Sequence, residues 1–233
     1  MEPVVMYQRW ESLLFLHWKF PADQIQGTLP PGLTVDTFEG NAYVGVVPFL
    51  MRGIRPRFLP SVPGISDFLE LNLRTYAKDT QGRPSVWFYS LDANQSLSVW
   101  VARKLFNLPY YRAEMKYWID GSGCERFTSE RPGSPEQIFE YKSVSSPTLA
   151  QPGSLSHFLV ERYSLYAYKP EEKRLLRGTI QHEPYRLSHV ELAAYSPELF
   201  SLNGLKCPDR DPDHAVLAEP VNVRIYPMRK VAA

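Results

Sequence analysis

Phe68-Leu69-Glu70-Leu71-Asn72-Leu73-Arg74-Thr75-Tyr76 alternates apolar and polar residues with a period of two. That is the period of a β-strand, and it sets Glu70, Asn72 and Arg74 on one face and Leu69, Leu71 and Leu73 on the other. Two readings of the polar face are open: a solvated face carrying a cross-strand ion pair, or a pocket wall where a carboxylate and a guanidinium bind a polar ligand. Directly downstream, Gln81-Gly82-Arg83-Pro84 turns the chain and residues 85–91 form a nearly continuous apolar run. The spacing predicts two paired, central strands over 68–78 and 85–91.

Working outward, strand-like segments rich in aromatic and β-branched residues recur between turn signals. Upstream, a first strand is expected over residues 12–20 and a short helix opening at Pro21-Ala22-Asp23. Residues 33–37 and 42–51 flank a hairpin-type turn at Glu39-Gly40-Asn41, and 52–67, with three prolines and two glycines, reads as a loop. Downstream, Asn94 caps an expected helix through Leu97, Trp100, Val101, Lys104 and Leu105, which Asn107-Leu108-Pro109 stops. Strands are then expected over 110–119, 124–130, 136–144, 163–168, 174–181, 186–195 and 215–226, with helical turns near 156–161 and 197–202 and a tail after Pro227. The fold class is α+β, mainly β, and 233 residues suit one domain over 1–233.

In the strand after the helix, Tyr110, Arg112, Glu114 and Lys116 share one face and Tyr111, Ala113 and Met115 the other. A tyrosine there serves as hydrogen-bond donor or general acid, since its ordinary pKa of about 10 makes it a poor base.

Twenty-six Lys and Arg against 25 Asp and Glu give a net charge of +1, so no global field draws nucleic acid or an anionic membrane. The local basic run Arg52-Gly53-Ile54-Arg55-Pro56-Arg57 is read as a candidate pocket rim. The start of the chain lacks a signal-peptide pattern and no stretch reaches the ~20 apolar residues of a membrane span, so a cytoplasmic location is expected. Cys124 and Cys207 form no CxxC pair, and the five histidines show no HxH or HxxxH spacing. The acidic run from Asp209 to His214 lacks the glycine and glutamate of a calcium loop. No metal and no cofactor are expected, and no nucleotide-binding glycine loop is present.

Several motifs carry a resemblance. Glu70 through Ala77, Gly82, Tyr89-Ser90-Leu91-Asp92-Ala93, Ala102-Arg103 and Leu108-Pro109-Tyr110-Tyr111 follow, in order and spacing, the pattern of the acetoacetate decarboxylases, and Leu29-Pro30-Pro31-Gly32-Leu33 resembles their "VPEPL" turn. The likeness is greater to the related YqjF-like family, through Glu70-Leu71-Asn72-Leu73-Arg74-Thr75-Tyr76, Ser90-Leu91-Asp92-Ala93, Leu108-Pro109-Tyr110, Glu161-Arg162-Tyr163-Ser164-Leu165-Tyr166 and His182-Glu183-Pro184-Tyr185, nearly end to end. The resemblance implies an antiparallel, barrel-like sheet system with a few flanking helices, and a possible homo-oligomer.

It also places Glu70 where the decarboxylases keep a pocket glutamate, and Tyr110-Tyr111 where they carry a lysine pair whose first member forms a Schiff base. A phenol cannot form an iminium, so β-keto acid decarboxylation by that route is not expected. The expected site is a polar-lined cavity with Glu70, Tyr110 and Arg74 as catalytic candidates and Asn72, Arg112 and Tyr111 as ligand-binding candidates. It would accept a small carboxylate or carbonyl compound, in a lyase- or isomerase-like enzyme or in a non-catalytic binding or sensing protein. Glu161, Arg162 and His182 could reach the pocket or form a structural ion pair and a satisfied core histidine, and the structural role is favoured.

Overall fold

The computed structural model describes residues 2–95 and 107–231. In chain order it contains β1 (Met6–Glu11), β2 (Leu13–Phe20), β3 (Leu33–Val35), β4 (Ala42–Pro56), β5 (Phe68–Asp79), β6 (Pro84–Ala93), β7 (Tyr110–Arg112), β8 (Glu114–Ile119) and β9 (Glu125–Glu130). These are followed by β10 (Gln137–Ser143), β11 (Thr148–Leu149), β12 (Ser164–Lys169), β13 (Arg174–Gln181), β14 (Arg186–Tyr195), β15 (His214–Ala218), β16 (Val221–Ile225) and β17 (Arg229–Lys230). Short helices occupy Ala22–Gln26, Leu155–Val160 and Glu198–Ser201.

The pairings close a barrel. β4 pairs with β5, β5 with β6, β6 with β12, β12 with β13, β13 with β16, β16 with β1, and β1 returns to β4. Closure removes the exposed edges that an open sheet of this size would present. The expected antiparallel, barrel-like sheet system is present, and within it β6 runs parallel to both β12 and β7. A second sheet branches from β2 through β15, β14, β10, β9 and β8, and packs against the outside of the barrel wall.

This layering decides between the two readings of β5. Leu71 and Leu73 point outward into the core between barrel and second sheet, beside Phe127, Phe139 and Tyr141, and are fully buried. Each such apolar side chain contributes roughly 1.5–3 kcal/mol by leaving water. The other face looks into the barrel, where Glu70 and Asn72 are 2% and 4% exposed. Both faces of the strand are covered, so the polar one is no solvated face.

Ser12, at a positive φ of 48°, divides one long run into β1 and β2, and the first strand therefore begins six residues earlier than expected, at Met6. The expected loop over 52–67 is strand as far as Pro56. Gly53 (φ 57°) is the extra residue of a bulge where β4 passes β1, a conformation glycine adopts without strain. The turn at Glu39-Gly40-Asn41 is present, closed by Phe38 and Asn41, but β3 pairs with β5 and not with β4. Residues 215–226 divide at Glu219-Pro220 into β15 and β16, and the expected tail instead contributes β17, paired to β13. The expected helix beyond Asn94 falls on residues that lie mostly outside those described. Among the described residues no helix is long and apolar enough to cross a membrane.

Candidate functional site

The barrel encloses a cavity of about 430 Å³. Its lining is mainly apolar, with Leu13, Val47, Phe49, Met51, Phe88 and Ile180 among the contributors, and one set of polar groups stands on the wall built on β5, apart from Gln8, Ser66, Thr179 and Tyr226 elsewhere in the lining. Glu70, Asn72 and Arg74 reach that wall from β5 and Tyr110 from β7, joined by Arg162, Ser164 and Tyr185 from the second half of the chain. An apolar cavity with a few convergent polar groups is the usual form of a small-molecule site, and the expectation of a polar-lined cavity is corrected to that form.

Register places the central pair. Glu70 stands opposite Ala93 in the β5–β6 ladder, and the parallel β6–β7 pairing aligns Leu91 with Tyr110. The Tyr110 hydroxyl donates to Glu70 Oε2 at 2.7 Å. Burial pushes the Glu70 carboxyl up to about 8, against the smaller opposing effect of hydrogen bonds from Tyr110 and Asn72, and the nearby Asp92 charge adds to the rise. Burial, with the adjoining Glu70 charge, also holds Tyr110 well above the ordinary phenol range. At neutral pH the site therefore holds a mainly protonated carboxyl and a protonated phenol in contact.

Of the two arginines among the described lining residues, Arg162 is paired with Asp36 and Arg74 is not. None of the ion pairs among the described residues includes it. Its Nε is buried without a hydrogen-bond partner, its contacts to Tyr76 Oη and Leu159 O are both 3.5 Å long, and its guanidinium lies over the Phe15 ring at 5.2 Å. Asn72 Oδ1 is likewise buried and unsatisfied. Buried polar atoms normally have partners, so these two donor and acceptor groups are available to a ligand. With a strand rise of about 3.3 Å per residue, the Cα atoms of Glu70 and Arg74 stand roughly 13 Å apart.

One mouth of the cavity is rimmed by the segment after β4, through Leu59, Pro60, Val62 and Ile65. The rim is apolar. Arg55 and Arg57, expected to line it, turn instead onto the rings of Tyr7 and Phe58.

Residues 7–222 match the family described as "Uncharacterized conserved protein", DUF2071. The chain belongs to this family. It is 35% identical over 228 residues to "Uncharacterized protein YqjF" of Bacillus subtilis (strain 168), covering 97% of this chain and 92% of that protein. Among solved structures it is similar to the enduracididine biosynthesis enzyme MppR complexed with pyruvate (TM-score 0.70, 13% identity, 100% of this chain and 91% of that one). It is also similar to an acetoacetate decarboxylase-like enzyme from Sphingomonas wittichii RW1 (TM-score 0.68, 13% identity, 99% and 94%). At such identities the likeness is one of fold.

Of the residues singled out in this DUF2071 chain, Glu70, Asn72, Arg74 and Tyr110 come together on one wall. Tyr111 and Arg112 do not line the cavity. Tyr111 is 41% exposed and its ring packs under the Arg131 guanidinium at 4.2 Å, over the buried Arg131–Asp92 ion pair, while Arg112 faces solvent. The chain breaks pairing at Ala113 as it leaves the barrel for the second sheet, so alternation from Tyr110 holds for Tyr111, which faces outward, and fails at Arg112.

Arg162, assigned a structural role, both pairs with Asp36 at 2.6 Å and lines the cavity. Glu161 accepts from the Tyr163 hydroxyl and, at 2.9 Å, from the Tyr185 backbone N–H. His182 packs between the Tyr163 and Tyr185 rings. Sequence reasoning missed Ser164 and Tyr185 as lining residues. The motifs Glu161–Tyr166 and His182–Tyr185 marked their neighbourhoods, but nothing local signals the parallel β6–β12 pairing that brings them to the cavity. Among the described residues no group of three or more His, Cys, Asp or Glu side chains is placed to hold a metal ion.

Proposed function

We propose that the barrel binds a small carboxylate- or carbonyl-bearing molecule with an apolar body and catalyses proton transfer next to its carbonyl, as a lyase- or isomerase-like enzyme without a Schiff base. The observation that carries this reading is the buried Glu70–Tyr110 pair, with a carboxyl raised to about 8, on the wall of an apolar cavity beside an unpaired arginine. Perturbed titratable groups in such a setting are characteristic of functional sites.

Arg74 anchors the ligand carboxylate. Ionised Glu70, a stronger base than an ordinary carboxylate, takes the proton from the carbon next to the carbonyl. Once Glu70 holds that proton, the Tyr110 hydroxyl turns from the carboxyl to donate to the oxygen on which enolate charge develops, and Asn72 Oδ1 accepts from the ligand. Glu70 then delivers the proton to a second carbon of the conjugated enolate to complete an isomerisation, or back to the first to give exchange alone. No lysine is among the described lining residues, in keeping with a route through an enol instead of an iminium. MppR, of the same fold, is complexed with pyruvate, a carboxylate with an adjacent carbonyl, which supports the ligand class.

Deuterium exchange at the carbon next to the carbonyl, followed by proton NMR for a series of 2-oxo acids of increasing chain length in D2O, tests the reading. Exchange is expected with wild type and abolished in Glu70→Gln, while Arg74→Ala raises KM. Thermal stabilisation by the same acids with no exchange would leave a binding or sensing protein in place of an enzyme.

A further inference from the structure

A second cavity, of about 350 Å³, opens beside the barrel and is lined by Arg83, Arg177, Arg229 and Lys230, with Glu2 the one acid of its wall among the described residues. We infer that this is a phosphoryl-binding subsite for the ligand of the barrel, an inference that rests on the small-molecule reading above.

The charge count favours an anion of about two charges. Arg83 is paired with Asp79 at 2.6 Å and Arg229 with Glu2 at 2.6 Å, which leaves Arg177 and Lys230 in excess. Among the described residues Arg177 makes no ion pair and donates to neutral hydroxyls, Ser85 Oγ at 3.2 Å and Ser164 Oγ at 2.8 Å. Lys230 makes no ion pair among the described residues, and a phosphate monoester carries about −1.5 to −2 at neutral pH.

The strand register is a separate observation. In the β13–β17 ladder Arg177 stands directly opposite Arg229, and Leu176 opposite Lys230. Like charges facing each other across a ladder destabilise it, and β17 has only two residues with which to offset that cost. An anion held between the two guanidiniums reverses the sign of the interaction, and their planar donor forks suit phosphoryl oxygens.

Thr179 and Tyr226 line both cavities, which places the basic pocket next to the barrel interior. A ligand with its apolar part in the barrel and a phosphoryl group between Arg177 and Arg229 fits both.

Titration calorimetry of the intact chain with inorganic phosphate and with hexyl phosphate tests the inference. Saturable binding of phosphate is expected, weakened at least tenfold in Arg229→Gln/Lys230→Gln, whose side chains are exposed, and hexyl phosphate should bind at least tenfold more tightly than phosphate because its chain enters the apolar cavity. Co-sedimentation with phosphatidate-bearing vesicles, lost in the same double variant, would support a lipid as the phosphoryl source, and hexyl phosphate binding without co-sedimentation a soluble one.

No saturable phosphate binding overturns the inference. So does binding unchanged in Arg229→Gln/Lys230→Gln, or unchanged in Lys230→Gln should the double variant fail to fold, and so does hexyl phosphate binding no more tightly than phosphate. Inorganic phosphate need not occupy the barrel, so its binding reads this subsite even where the hydrogen-exchange experiment fails.

Discussion

The phenol of Tyr110 and the carboxyl of Glu70, 40 residues apart in sequence, meet at 2.7 Å inside the barrel, where both residues are buried. A carboxyl so placed ties stability to pH in the direction opposite to the usual acid. In the unfolded chain Glu70 loses its proton near 4.5, whereas in the folded barrel it keeps it to about 8. Between those values the folded state binds more protons, so the contribution from Glu70 is fully present below about 4.5 and is lost as pH rises to about 8. The loss is on the order of a few kcal/mol. Glu70→Gln should therefore flatten the fall in stability above pH 5 and raise Tm at pH 8 relative to wild type. Urea unfolding across that range checks it, and an unchanged slope would show that Glu70 ionises normally.

Tyr110→Phe removes the hydrogen bond and leaves Glu70 Oε2 facing an apolar ring. An unsatisfied buried acceptor costs about 1–3 kcal/mol, and a destabilisation in that range is expected at pH 6. Because the phenol lowers the carboxyl pKa, its removal should push the Glu70 titration further up. The pH profile of hydrogen exchange in 2-oxo acids should move to higher pH, which a merely structural loss would not produce.

Much of this wall is legible in the sequence because a strand has only two faces. The alternation over Phe68 to Tyr76 assigns Glu70, Asn72 and Arg74 to one side, and burial of Leu71 and Leu73 on the other leaves the barrel interior for them. What alternation cannot supply is closure. The parallel pairing of β6 with β12 joins residues about 80 positions apart, and it brings Ser164 and Arg162 to the cavity with no local signal. Strand breaks are equally hidden: the change of sheet at Ala113 leaves Arg112 in solvent although its spacing from Tyr110 would share the cavity face, whereas Tyr111 turns outward as alternation itself requires. The apolar character of the lining comes from single residues of many strands, each of which reads as ordinary core.

Asp36 is expected to be the most sensitive single acid. It pairs at 2.6 Å with Arg162, both side chains being almost wholly buried, and at 2.7 Å with Lys78. Replacing one member of a buried pair strands the other charge, at about 3–5 kcal/mol. Asp36→Asn should lower stability by that amount and, because Arg162 lines the cavity, change ligand affinity too. Chemical denaturation with parallel ligand titration measures both, and a loss below about 1 kcal/mol would place the pair in effective contact with water.

Gly45 is where the fold needs the absence of a side chain. It lies opposite His17 in the β2–β4 ladder, and a Cβ there would stand 2.7 Å from His17 Cδ2 and 2.9 Å from Nε2. His17 has little room to yield, since its ring is fully buried and held by Tyr76 Oη at 2.7 Å on one nitrogen and by His214 at 3.0 Å on the other. Gly45→Ala should cost about 1–3 kcal/mol by overpacking. His17→Ala alone leaves a cavity and takes from the Tyr76 hydroxyl its 2.7 Å partner, leaving it only the 3.5 Å contact from Arg74, and is also destabilising. In Gly45→Ala/His17→Ala the added methyl enters the space vacated by the imidazole, so the combined loss should fall short of the sum of the two by at least about 1 kcal/mol. Additive losses in the double-mutant cycle would mean that the strain at Gly45 arises from the backbone and not from the histidine ring packed over it.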